Sequence, residues 1–406
     1  MKHSILIALI AGSIFAGCSQ APLPAVKNAY GGAGRDNYYF WQSKNLYRHS
    51  IIVTDSVKIP KGFSAQPLCI GRQTYLVPTS TGGVAEITND SLGWLFAASQ
   101  FGDSSSMNAL ASDSAGNTIG TTQHSLFSLD AQGRLQWHDS LTATADPASS
   151  LSSPLLLNGK IFCCSGGGTI WCVDEKGNIL WQDHKEQDIL TQVAATPGGD
   201  IAVVYTRGEF RHTDTVTLLD SKGETKWMEE IPATRILQGP VISGGNIVVA
   251  GTRDSADVRK GVVSVFNLSG KKLHETSVDL IPTGLSADKE GDIYVSGSSL
   301  DVQDIRSVVA QLNTAGTQRW AVTIDGLLGC SVAVTKKYIY FPVATSSVRM
   351  LYQLTHEGKT EEVEVLPAIA YTPFTPIVDD VDRVVLPNRY GSQLFVFESD
   401  IVGKIF

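Results

Sequence analysis

The cysteines are the residues of this sequence whose type and spacing come closest to a chemical site. Cys163 and Cys164 are adjacent in an apolar run that reads as a β-strand. Neighbouring side chains of a strand point to opposite faces of the sheet, so we expect two small buried side chains here. A bridge from Cys163 to Cys172 across the following hairpin is possible in one register and remains an alternative.

Other signatures of catalysis or metal binding are missing from the sequence. Apart from Cys18, five of the 6 cysteines remain, an odd number that cannot all pair, and their spacing has no zinc pattern. The 8 histidines are scattered, and no HExxH, GxSxG or P-loop motif occurs. Acidic turns at Asp113 and Asp288 lack the further ligands of a calcium loop. We therefore predict no catalytic residue, no metal site and no cofactor.

The N-terminus is typical of an exported protein. A short basic start precedes roughly a dozen apolar residues, too few to span a bilayer. The run ends in "FAGC", in which small residues before Cys18 resemble the lipobox of bacterial lipoproteins. We predict a signal peptide over residues 1–17, with a plain signal as the alternative. A lipid anchor on Cys18 and a flexible tether would then fill residues 18–47. Ser19, by resemblance to the sorting pattern of Gram-negative lipoproteins, implies the outer membrane.

One hairpin recurs along the rest of the chain. Its frame is an apolar strand, Asp or Asn, two polar residues, Gly, and a second strand with Trp four places after the Gly, as in "LDAQGRLQW". Successive frame glycines are 42 to 47 residues apart. The glycines are Gly133, Gly177, Gly223, Gly270, Gly316 and Gly358, and the aromatic position holds Trp137, Trp181, Trp227, His274, Trp320 and Glu362 in the same order. A weaker copy surrounds Trp94.

Two more strand candidates precede each frame, so one unit contains four short strands in about 45 residues. This period fits one propeller blade. First strands near residues 64, 103, 149, 190, 237, 281, 328 and 370 give eight units. The sequence predicts an all-β, eight-bladed β-propeller of four-stranded antiparallel blades over residues 48–406. The eighth unit lacks an outer strand, and we expect the N-terminal strand at residues 50–60 to supply it and close the ring.

The repeated Trp and Gly should join neighbouring blades. A large aromatic side chain buries on the order of 150–250 Å², and a blade cannot bury its own faces. We expect each Trp to pack across onto small residues of a neighbouring blade, while the frame Gly makes the turn with a positive φ.

The frame Leu129-Asp130-x-x-Gly133-x-x-x-Trp137 resembles the pyrroloquinoline-quinone (PQQ)-type propeller repeat. Eight such blades behind a lipobox resemble the lipoprotein subunit of the outer-membrane β-barrel assembly machinery. That resemblance implies a non-enzymatic scaffold that binds the periplasmic domains of the barrel-forming subunit. Quinone-dependent dehydrogenases of this repeat class can carry an adjacent-cysteine disulfide beside their cofactor, so the same resemblance keeps a PQQ-dependent dehydrogenase as an alternative at Cys163 and Cys164.

The net charge and the composition of the loops indicate which binding partners to expect. The formal net charge is −8 and no long basic run occurs, so nucleic-acid binding is not expected. Arg389 and Tyr390, in a loop of the last blade, suit the rim of a protein interface. We predict a monomeric scaffold, lipid-anchored in the cell envelope, that binds envelope proteins. An envelope sensor that binds polysaccharide or peptide is a further alternative.

Overall fold

The structure, a computed structural model, describes most of the chain after the N-terminal region. The described residues are 27–28, 35, 48–53, 62–71, 73–88, 91–141, 150–185, 188–189, 193–206, 213–232, 234–255, 258–301, 306–366, 373–389 and 393–398. The predicted signal peptide, Cys18 and Tyr390 lie outside these residues. Within them, no helix is long and apolar enough to cross a membrane.

Four-stranded antiparallel sheets arranged in a ring make up the fold, which confirms the predicted eight-bladed propeller. Blades are numbered in chain order, and the strands of each are given from the channel outward. Blade 1 contains Leu68–Gly71, Thr74–Pro78, Gly83–Thr88 and Ser91–Ala97; blade 2 contains Ala111–Ser112, Thr118–Thr121, Ser125–Leu129 and Leu135–Ser140. Blade 3 contains Leu155–Leu157, Lys160–Cys164, Thr169–Asp174 and Ile179–His184; blade 4 contains Ala194–Ala195, Ile201–Thr206, Thr213–Leu219 and Thr225–Pro232.

The second half of the ring follows the same order. Blade 5 contains Thr234–Ser243, Asn246–Ser255, Val258–Asn267 and Lys272–Val278; blade 6 contains Ile281–Ala287, Ile293–Ser298, Arg306–Leu312 and Gln318–Asp325. Blade 7 contains Ala333–Val334, Tyr338–Ala344, Arg349–Thr355 and Thr360–Leu366; blade 8 contains Ile377–Val378, Val384–Pro387, Gln393–Glu398 and Arg48–Val53. Short strands Lys27–Asn28 and Asp188–Ile189 and the 3-10 helix Ala98–Phe101 complete the described elements.

Ring closure uses both ends of the chain. Arg48–Val53 pairs antiparallel with Gln393–Glu398 along its whole length and forms the outer strand of blade 8. This confirms the predicted closure by an N-terminal strand, which begins slightly earlier than expected. Residues 54–61 of that region lie outside the described part of the chain. The pairing protects the edge that blade 8 would otherwise expose.

The core is a series of apolar layers between neighbouring blades. In blade 3, Ile161 and Cys163 belong to the layer shared with blade 2. Phe162 and Cys164, on the opposite face of the same strand, belong to the layer shared with blade 4. Middle strands are therefore buried on both faces, which explains why they read as continuous apolar runs without polar alternation.

The connections between strands are divided between the two faces of the propeller. The turns between first and second strands and between third and fourth strands share one face, here named the turn face. The connections between second and third strands and from blade to blade share the other, here named the loop face. The hairpin of blade 5 that leads to the loop face is long, because Asn246–Ser255 and Val258–Asn267 each have 10 residues.

Candidate functional sites: blade contacts, channel and loop face

Each repeated tryptophan lies against the turn glycine of the next blade. A Cβ atom built on Gly177 would lie 3.0 Å from Cδ2 of Trp137, and one on Gly223 would lie 2.8 Å from Cε3 of Trp181. Gly270 meets Trp227 and Gly358 meets Trp320 in the same way. The glycines have positive φ angles, which the turn requires. Because they have no Cβ, they also leave room for the face of the indole.

The indole nitrogens complete this contact. Each donates to the backbone carbonyl two residues before the glycine of the next blade, at distances of 2.8 to 3.1 Å. The pairs are Trp137 with Glu175, Trp181 with Ser221, Trp227 with Leu268, and Trp320 with His356. A hydrogen bond and a packed ring thus join successive blades at the turn face.

The aromatic position of two blades deviates from this pattern. Trp94 of blade 1 packs on Gly133, although its indole donates to the Glu86 carboxylate of its own blade at 2.7 Å. The weak repeat at Trp94 therefore marks a contact between blades of the same kind. His274 faces Gly316 in place of a tryptophan, and its Nε2 atom is buried with no hydrogen-bond partner among the described residues. Burial lowers the pKa of His274 below its usual value.

The adjacent cysteines lie in two different cores. Cys163 and Cys164 are on the second strand of blade 3, and both are buried and free. Cys163 pairs with Trp171 in the register, and Cys172 is opposite Phe162, so the alternative bridge to Cys172 does not form. Burial raises the pKa of the Cys164 thiol to about 11, which suppresses the reactive thiolate.

The adjacent cysteines do not fit a place beside a quinone cofactor. The two thiols point into separate inter-blade layers, so they do not form a surface beside a ligand. A cavity of about 160 Å³, lined by Gln66, Thr283, Cys330 and Phe374 among others, is smaller than the roughly 300–1,000 Å³ of ordinary ligand pockets. Among the residues described, no group of three or more His, Cys, Asp or Glu is placed to hold a metal ion.

A buried polar triad spans the seam between blades 1 and 8. Tyr75 donates its hydroxyl proton to Oδ2 of Asp379 at 2.6 Å. Arg383 donates to the same oxygen from Nε at 2.7 Å and to the Tyr75 hydroxyl from Nη2 at 2.6 Å. Asp379 is 0% exposed and Arg383 5% exposed. Burial raises the pKa of Tyr75, so its hydroxyl stays protonated and keeps donating. No repeated motif predicts this triad, because its members occur once.

The loop face carries the predicted interaction rim. Arg389 is exposed there, between the second and third strands of blade 8. In the long hairpin of blade 5, Arg253 donates to the Glu275 carboxylate at 2.5 Å and lowers the pKa of Glu275 to about 2. Arg259 and Lys260 are exposed on the facing strand of this hairpin, where Lys260 pairs with Arg253. The rim role of Arg389 remains a prediction.

Comparison with known proteins agrees with this architecture. The sequence profile of a family described as outer membrane protein assembly factor BamB matches residues 82–277, from blade 1 into blade 5. The chain is a PQQ-like propeller that resembles BamB. No curated protein sequence matches it significantly.

Solved structures extend the likeness to nearly the whole ring. BamB from Moraxella catarrhalis is 18% identical, with a TM-score of 0.61, and the match covers 89% of this chain and 99% of that one. The computationally designed Ika8 protein is 13% identical, with a TM-score of 0.60, covering 88% and 98%. The dihydro-heme d1 dehydrogenase NirN is 14% identical, with a TM-score of 0.56, covering 76% and 67%. At these identities the likeness establishes the fold, which scaffolds and enzymes share.

Proposed function

We propose that this protein is a non-enzymatic scaffold of the bacterial envelope that binds protein partners in outer-membrane protein assembly. The observation that carries the proposal is the match of residues 82–277 to the assembly-factor profile. The propeller likeness over 89% of the chain supports it. A lipid on Cys18 would hold the scaffold to the outer membrane, and a monomer suffices for this role.

The burial of the cysteines and of the seam triad agrees with a scaffold. The cysteines are divided among apolar layers, and the seam triad is internal. The loop face, by contrast, extends the hairpin of blade 5 and exposes Arg259, Lys260 and Arg389. Arginine is enriched in protein interfaces relative to the rest of the surface. We therefore assign partner binding to the loop face.

Affinity purification from envelope extracts after crosslinking in intact cells tests this assignment. Wild-type protein should recover an outer-membrane assembly subunit, and Lys260→Glu should reduce that recovery several-fold. Lys271→Glu is the matched control, because Lys271 is exposed on the same blade but at the turn face. If no assembly subunit is recovered with the wild type, the proposed function is wrong. Equal losses in the two variants would place the interface elsewhere.

The membrane anchor has a separate test. Cys18→Ser should move the protein from the membrane fraction to the soluble fraction, because this change removes the proposed acylation site. Retention of the variant in the membrane would show that another feature holds the protein there.

A further inference from the structure

A short N-terminal strand lies on the channel side of blade 2. Lys27 pairs with Ser112 and Asn28 with Ala111, antiparallel to the first strand of that blade. The first strand of a blade has no strand of its own blade on the channel side, so its channel-facing edge can accept an added strand. These residues fall within the segment that the sequence predicts to be a tether, and here the segment contacts the propeller.

Asn28 joins this strand to blade 3. Its amide Nδ2 donates to the Leu156 carbonyl at 3.0 Å, and its Oδ1 accepts from the Leu156 backbone N–H at 2.8 Å. Both backbone groups of one inner-strand residue are thereby satisfied by one side chain. Asn28 is 6% exposed, so water does not easily replace these bonds.

Arg35 fixes the same segment to blades 3 and 4. Its Nε donates to the Val193 carbonyl at 2.7 Å, and its Nη2 donates to the carbonyls of Ser153 and Pro154 at 3.0 and 3.1 Å. The residue is 1% exposed. Three carbonyls from two connections thus surround one guanidinium, which holds the segment in the channel at a second point.

The direction of the segment through the channel follows from these contacts. Inner strands begin at the loop face and end at the turn face, and Ser112 is next to the turn at Asp113. Antiparallel pairing therefore sends the chain from the turn face at Lys27 toward the loop face after Asn28. Arg35 agrees, because its carbonyl partners precede the inner strands. The N-terminal end of this strand, at Lys27, is therefore the end nearer the turn face.

The length of the preceding chain limits where Cys18 can lie. Eight residues, and so nine Cα-to-Cα steps, separate Cys18 from Lys27, a reach of at most about 32 Å when fully extended. Reaching the loop face around the rim takes about 19 Å across four strand spacings and then about 20 Å along the outer strand Leu135–Ser140. That path exceeds the available reach, so the shortest course from Lys27 to a lipid on Cys18 is on the turn-face side.

We propose that the docked segment orients the propeller, with its turn face toward the lipid surface that holds Cys18 and its loop face away from it. This inference rests on the proposed lipid anchor. The orientation presents the long hairpin of blade 5 and Arg389 to soluble partner domains.

Tryptic cleavage after Arg35 tests the docking without reference to a membrane. In detergent-solubilised full-length protein, the buried Arg35 should resist trypsin, and Asn28→Ala should accelerate cleavage there about tenfold. Asn178→Ala, which removes an exposed amide at a turn of blade 3, is the matched control and should leave the rate unchanged. Equal cleavage rates in wild type and Asn28→Ala would overturn the docking.

Energy transfer from a lipid-headgroup dye tests the orientation in vesicles containing the full-length protein. Acceptors are attached to Glu357→Cys at the turn face and to Ser347→Cys at the loop face, two exposed positions of the same blade. Transfer should be higher at the turn-face position. Equal or reversed efficiencies in membrane-bound protein would overturn the orientation while leaving the anchor intact. If the wild type does not bind vesicles, the anchor fails and the orientation fails with it.

Discussion

Substituting a docking glycine measures how strongly neighbouring blades are joined. In Gly223→Ala, the new Cβ would lie 2.8 Å from Cε3 and 2.9 Å from Cδ2 of Trp181, too close for carbon atoms in contact. The glycine also has a φ of +87°, a left-handed conformation that alanine adopts only with strain. The substitution therefore combines a backbone cost with a steric cost at the contact between blades 3 and 4.

A control glycine separates the two costs. The left-handed backbone costs about 1–2 kcal/mol for alanine, and overpacking in a filled site costs about 1–3 kcal/mol more. Gly223→Ala should therefore lower the free energy of unfolding by about 2–5 kcal/mol. Gly245→Ala is the control, because Gly245 has a φ of +77° but nothing within 4 Å of the added Cβ. It should show only the backbone cost.

Urea unfolding followed by tryptophan fluorescence and far-UV circular dichroism measures both variants. In a Trp181→Ala background the steric cost disappears, so Gly223→Ala should then cost no more than Gly245→Ala. The expected coupling energy is about 1–3 kcal/mol. Equal costs at the two glycines in the wild-type background would refute a tight inter-blade contact, as would a cost at Gly223 that persists without the indole.

Three further outcomes are expected from urea unfolding of single variants. His274→Trp should stabilise the fold by about 1 kcal/mol, because an indole in that slot can donate to the Thr314 carbonyl; an unchanged midpoint would contradict it. Arg383→Met should destabilise by about 3–5 kcal/mol, since it leaves a buried carboxylate without its cation, whereas Arg134→Met, at an exposed pair, should change little. The pKa of Glu275 is lowered to about 2, so its contribution is full above about 4.5 and is lost as pH falls toward 2. Glu275→Gln should therefore flatten the pH dependence of stability between those values, and an unaltered profile would show that its ion pair contributes nothing.

The repeat made most of the fold predictable. Each blade is one local unit of about 45 residues, so the spacing of Gly177, Gly223 and their equivalents counts the blades directly. The aromatic position also identified Trp137, Trp181, Trp227 and Trp320, which the structure places against the next blade. Loop residues such as Arg389 follow no period, so their role could be suggested only from residue type.

Sequence and tertiary structure thus determined different parts of this protein. The sequence by itself determined the blade count, the turns and the closing strand, because these depend on contacts within a unit or on a missing strand. Only the tertiary structure decided the seam triad of Tyr75, Asp379 and Arg383, and the docking of Asn28 on Leu156. Those partners lie 304 and 128 residues apart for Tyr75–Asp379 and Asn28–Leu156. Such contacts have no local pattern, because closure of the ring brings Tyr75 to Asp379 and docking of the N-terminal strand brings Asn28 to Leu156.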